Sequence, residues 1–241
     1  MSKFNEEKFR ELVKPHILRC RAGDWEHAKR VVRWVRKLAK DRDDLDIIIK
    51  AAYIHDIGWR DLIESGKKIT KNELKKLEPQ ANKNTKPFVQ DLLKEFGDAE
   101  KEINIAIQLI NAADLHSSSN RVEEIIVDSD NLSKLNIEHV YEKYVEDDYR
   151  KMLNLWKKEF PNRIQTQKGK ALFPKLLEQL ERDIEEELRV TAFGLFGCAD
   201  EFFKSFNIIM EKEPKMPDYY RVKYYLLCHL FRSPTYWNIT F

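Results

Sequence analysis

Cysteine is scarce in this sequence: three in 241 residues, Cys20, Cys198 and Cys228, with no CxxC pair among them. An odd, scattered set excludes a disulfide framework and fits a reducing compartment. The opening MSKFNEEKFRELVK has no apolar signal core, so a cytoplasmic location is expected. No run approaches the roughly 18 uninterrupted apolar residues of a membrane span, and no membrane partner is expected. An excess of one charge sign is lacking too, since 43 basic residues nearly cancel 41 acidic ones and leave a net +2. That balance gives no clear nucleic-acid signal. Glycine and proline are sparse at seven and eight, and clean apolar/polar alternation is hard to find, which disfavours a strand-rich fold.

What the chain does have is a 42% hydrophobic content, enough for a real core, and helical spacing that recurs throughout. The reading is all-α. A helix is predicted from about Asp24, read as its N-cap, to Lys40, with Ala28, Val31, Val32, Val35 and Leu38 on one stripe. Another runs from about Asp44 to Gly58 and carries Leu45, Ile48, Ile49 and Ala52. The Lys- and Asn-rich stretch 67–86 lacks strong periodicity and reads as a surface loop or short helix. Helices follow at 87–96, 99–114, 121–134 and 138–160, then a loop at 161–169. Residues 170–189 carry Phe173, Leu177, Leu180, Ile184 and Leu188 at spacings of three and four, a core stripe or a dimer seam, so a homodimer is admitted. Two parts are expected: a helical core over 1–189 and an aromatic-rich helical extension over 190–241. The extension either packs on the core, forms a small subdomain or meets a partner.

Four residues break the apolar stripes with metal-ligand chemistry. His27 lies four before Val31, His55 seven after Ile48, and Asp56 seven after Ile49, all on inward faces. Asp130 lies four after Ile126 and shares its inward phase. Ionisable groups aimed into a core are costly unless paired or bound to a metal. Two imidazoles and two carboxylates suit Mn, Fe, Co, Ni or Zn, with Mg also admissible.

DWEHAKRVVRWV (24–35), AAYIHDIG (51–58) and EEIIVDSDNL (123–132) together resemble the H…HD…D signature of the HD-domain superfamily of metal-dependent phosphohydrolases. The resemblance implies an HD-domain helical bundle with a C-terminal helical extension. It also implies one divalent metal held by His27, His55, Asp56 and Asp130, with Asp128 nearby in support. Many members carry a lysine two residues after HD-x, where this chain has Gly58, Trp59 and Arg60. Either Arg60 stands in as the cation or the phosphate is held elsewhere. Two-metal members usually add two histidines before the last aspartate, and only His116 lies in that interval, so a mononuclear site is expected.

The implied activity is hydrolysis of a phosphate ester or anhydride of a nucleotide or similar small metabolite by a metal-activated water. Asp56 would orient that water, His116 would serve as general acid, and Arg30, Arg60 and Lys134 would bind phosphate. For His116 the structural alternative is a residue interacting with a helix C-terminus; for Arg30 and Arg60 it is a solvated helix charge. His16, His139 and His229 match nothing in the signature. The functional alternative is a non-catalytic nucleotide-binding or scaffold protein that retains the fold.

Overall fold

Asn5 starts the first helix by accepting the Lys8 amide at its side chain, and the chain from there is helical wherever it is regular. The computed structural model describes residues 4–40 and 42–188. In chain order the helices are α1 (Glu6–Ile17), α2 (Asp24–Leu38), α3 (Leu45–Ile54), α4 (Lys71–Phe96), α5 (Glu100–Asp114), α6 (Arg121–Ser133), α7 (Ile137–Lys143) and α8 (Tyr149–Arg163). Helix α9 begins at 167 and is followed to 188. Short 3₁₀ turns sit at Ile57–Trp59 and Glu146–Asp148. No strand occurs among the described residues; Ile69 and Tyr144 make an isolated parallel bridge. The expected extension over 190–241 lies outside the described residues.

α3 is the central helix of the unit that ends at Glu185. All its residues from Ile48 to Ile54 are buried, and burying each large aliphatic side chain there contributes roughly 1.5–3 kcal/mol. α2 and α5 pack on α3, and α6 packs on both α2 and α5. This arrangement brings the middle of α2, the end of α3 and the middle of α6 to one place. The α2 stripe Ala28, Val31, Val32 and Val35 is buried as its spacing predicts.

Two predicted boundaries are corrected. From Lys71 onward, the stretch read as loop or short helix at 67–86 is the first part of the 26-residue α4, opened by a Thr70–Glu73 capping box and closed by Gly97 at φ 96°. Its inward stripe of Ala81, Thr85, Val89 and Leu92 starts with small or polar side chains, so the apolar signal is weak. Pro79 and Pro87 lie on its exposed face, where the carbonyls they leave unpaired can be hydrated. The helix predicted over 138–160 is instead broken between Lys143 and Tyr149. Tyr144 is extended, at φ −111° and ψ 158°, and the Ile69 amide donates to the Lys143 carbonyl at 2.8 Å. α8 then runs past the exposed Pro161 to Arg163.

Gly58 holds the 3₁₀ turn against α4. A Cβ there would overlap the Ala81 carbonyl oxygen and the Thr85 hydroxyl.

Candidate metal centre and its cavity

His27 reaches the centre from the first turns of α2, His55 from the C-cap of α3, Asp56 from the turn that follows and Asp130 from α6. His27, His55 and Asp130 are the tightest set, with one ligand atom from each lying within 4.8 Å of the others. The two Nε2 atoms are 3.1 Å apart, and His27 Nε2 is 3.2 Å from Asp130 Oδ1. Asp56 Oδ2 stands 3.5 Å from His55 Nε2 and 3.7 Å from His27 Nε2. The structure therefore brings together the four residues expected to hold a metal.

The hydrogen bonds behind the ligands fix how these atoms face. Ser133 donates its hydroxyl proton to the Asp130 carbonyl at 2.7 Å, so its oxygen is left to accept from His27 Nδ1 at 3.2 Å. His55 Nδ1 donates to the Ala52 carbonyl at 2.9 Å. In their neutral forms both imidazoles thus carry the hydrogen on Nδ1 and turn an Nε2 lone pair toward a carboxylate oxygen. Electron pairs converging without an intrinsic proton call for a cation, and the nitrogen and oxygen donors suit a divalent transition metal.

The charges around the rings point the same way. Burial alone would lower His55, but Asp56 and then Asp130 outweigh it and raise the ring to about 9. His27 is driven well below its usual value by burial, with Lys143 adding to the effect. Asp56, which burial would raise, is held well below the usual carboxylate range by Arg21 and Lys143. A cluster that retains a proton so strongly on one ring is short of positive charge.

Above the cluster lies a cavity of about 540 Å³ lined by His55, Asp56 and Asp130 on one side. Six cationic side chains reach it: Arg21, Lys71, Lys75, Lys134, Lys143 and Arg163. Trp59, Tyr144, Met152, Leu155 and Trp156 supply apolar wall.

The other expected site residues are placed as follows. Lys134 lines the cavity, with Nζ 2.6 Å from Asp130 Oδ2. His116 lines it too, in a left-handed turn at φ 50°. Burial, with Lys134 and Arg163, pushes its ring down to about 3, so it is neutral near pH 7. Arg30 and Arg60 are not among the cavity-lining residues. The Arg30 guanidinium is buried against Glu142 at 2.8 Å, and Arg60 meets His16 Nδ1 at 2.8 Å and stacks 3.7 Å from the Phe88 ring centre. Asp128 is fully buried away from the ligands, accepting from the Gln165 and Thr166 amides ahead of α9. Asp24 is not the N-cap of α2. Gly23 takes that position at φ 72°, and Asp24 is buried with Arg21 and Lys143.

Among the cavity residues that escaped the sequence reading are three that interact electrostatically with Asp56. Lys143 shares the inward phase of Val140 and His139 on α7, a cation in a buried stripe that could have been noticed. Arg21 precedes α2 in irregular chain and gives no periodic signal. Asp114 ends α5, and burial, then Asp56, raises its carboxyl to about 7. His139, which matched nothing, packs its ring 4.8 Å from that of His27.

No curated protein and no solved structure matches the chain. A family profile described as HD domain matches residues 24–147, a span that contains all four candidate metal-binding residues and the Lys143 cation. With slightly more than half of its length matched and the ordered H…HD…D residues gathered at one centre, the chain belongs to the HD domain family, whose members are generally metal-dependent phosphohydrolases.

Proposed function

We propose that the protein hydrolyses a phosphate ester or anhydride of a nucleotide or similar small metabolite, using one divalent ion held by His27, His55, Asp56 and Asp130. The observation that carries this reading is the convergence of two Nε2 lone pairs and the Asp130 carboxylate beneath a cavity reached by six cationic side chains. The cavity volume falls within the range of small-molecule sites, and its Trp156, Leu155 and Met152 wall suits a flat apolar moiety such as a base.

Held by His27, His55, Asp56 and Asp130, a divalent ion would lower the pKa of a bound water from about 15.7 toward about 7 and would polarise a phosphoryl oxygen. The chain's own groups do the rest. Asp56, kept ionised by its two cations, accepts a hydrogen bond from the attacking water and aims it. Lys134 occupies Asp130 Oδ2 and leaves Oδ1 to the imidazoles. Asp114, with its carboxyl near neutrality, can give a proton to the leaving oxygen, and the neutral His116 ring can hydrogen-bond the same region. This reading moves the acid role expected of His116 to Asp114.

The test is a screen of nucleotides and phosphorylated metabolites against protein loaded separately with Mn, Co, Ni and Mg. Turnover that disappears in Asp130→Ala supports the reading. Stoichiometric metal without turnover of any phosphate ester would favour the non-catalytic alternative.

A further inference from the structure

Asp24 has no exposed side-chain surface, and both of its oxygens hold a cation. Oδ2 accepts from the Arg21 amide at 2.9 Å and from Arg21 Nε at 3.0 Å. Oδ1 lies 2.6 Å from Lys143 Nζ. The same two cations also grip Asp56, with Arg21 Nη2 2.6 Å and Lys143 Nζ 3.2 Å from its Oδ2. Arg21 is further fixed by stacking, its guanidinium carbon 4.0 Å from the Trp59 ring centre. Both cations are buried, and both line the cavity.

We infer that Arg21 and Lys143 are the residues that bind the phosphoryl oxygens of the substrate, that Asp24 is the positioning residue for both, and that Asp56 occupies the pair when no ion is present. The inference rests on the phosphohydrolase reading above.

Charge balance is the reason. Asp24 and Asp56 match Arg21 and Lys143 one for one, so this buried set is neutral as it stands. Asp56 Oδ2, the oxygen they hold, is also the one nearest the two imidazole Nε2 atoms. Once Asp56 serves an ion, Arg21 and Lys143 keep only Asp24 as counter-charge and carry one positive charge in excess, which a negatively charged phosphoryl oxygen restores to balance. Asp24 keeps both cations in place during that exchange, so their donors need little reorganisation to meet the new anion. Arg30 and Arg60, the cations first expected to do this, are engaged with Glu142 and His16 instead.

Inorganic phosphate is the probe, and calorimetric titration of the full chain is the readout. In Mn-loaded protein, Lys143→Gln should keep one ion per chain and lose phosphate affinity by about tenfold or more, as expected for a lost charge-assisted contact. Arg21→Lys, which keeps the charge but loses the planar fork and the stacking on Trp59, should show a smaller loss of the same kind and serves if Lys143→Gln does not fold. In metal-free protein, Asp56→Asn should bind phosphate on the order of tenfold more tightly than wild type, because it frees the pair without any ion. Unchanged phosphate affinity in both cation variants, or no gain in Asp56→Asn, overturns the inference and leaves the phosphohydrolase reading standing. Absence of phosphate binding to the Mn-loaded wild type would overturn both.

Discussion

Ser133 Oγ sits 3.2 Å from His27 Nδ1 while giving its own proton to the Asp130 carbonyl, so one hydroxyl sets the tautomer of one candidate ligand from the helix that carries another. Ser133→Ala should therefore fold normally and weaken metal binding by about 10–100-fold, the usual cost of losing such a partner. Competition of the metal-loaded protein against a chelator measures it. Unchanged affinity would mean that Ser133 does not orient the ring.

Metal uptake should depend on pH through His55. Its ring is raised to about 9 from 6.5, so it is protonated across neutrality and an incoming ion must displace that proton. Affinity should rise by about tenfold per pH unit from about 6 to 8 and level off near about 9, with about one proton released per ion. The sign reverses for the ion-free fold. A raised pKa adds stability that is complete below about 6.5 and gone by about 9. Calorimetry in buffers of different ionisation enthalpy counts the proton, and a pH-independent affinity would contradict the assignment.

Asp114 and His116 are separable by leaving group. Asp114→Asn should keep its metal and lose about 10²–10⁴-fold in kcat on an alkyl phosphate. On p-nitrophenyl phosphate, whose leaving group needs little protonation, the loss should be much smaller. His116→Ala should lose less than Asp114→Asn on the alkyl substrate, since its ring is neutral near pH 7. A larger loss in His116→Ala would return the acid role to the histidine.

Gly58→Ala should destabilise the fold by about 1–3 kcal/mol, the scale of an overpacked core. The added carbon would meet the Ala81 carbonyl, which belongs to helix backbone and cannot rotate away. Chemical denaturation at fixed pH reports the change, and wild-type stability would show that α4 yields at this point.

The clustering of the candidate metal-binding residues was legible because helical phase shows directly in sequence. His27, His55 and Asp130 each fall in step with buried aliphatic residues, and the packing of α2 on α3 and α6 brings those phases to one point. Phase does not name a partner, however. Arg30, expected to bind phosphate or to be a solvated helix charge, is buried, and its partner is Glu142, 112 residues along the chain. Arg21 was illegible for the opposite reason, since it owes its place to Asp24 and Trp59 and to no periodic pattern. The early part of α4 was missed because it has little to bury. No residue from Lys71 to Gln80 is buried, so the apolar record that marks other helices is missing there.

That bare stretch has an evolutionary meaning. Asn72, Lys75 and Glu78 look into the cavity from a segment whose tip is moored by the Lys71 amide on Asp148 Oδ2 at 2.7 Å. Core packing of α4 begins only at Ala81. Substitutions at these three positions would repaint one wall of the cavity and leave the hydrophobic core and the metal centre untouched. On the proposed function, substrate preference and fold stability would be written on different parts of the same helix, and selection could revise the first without disturbing the second.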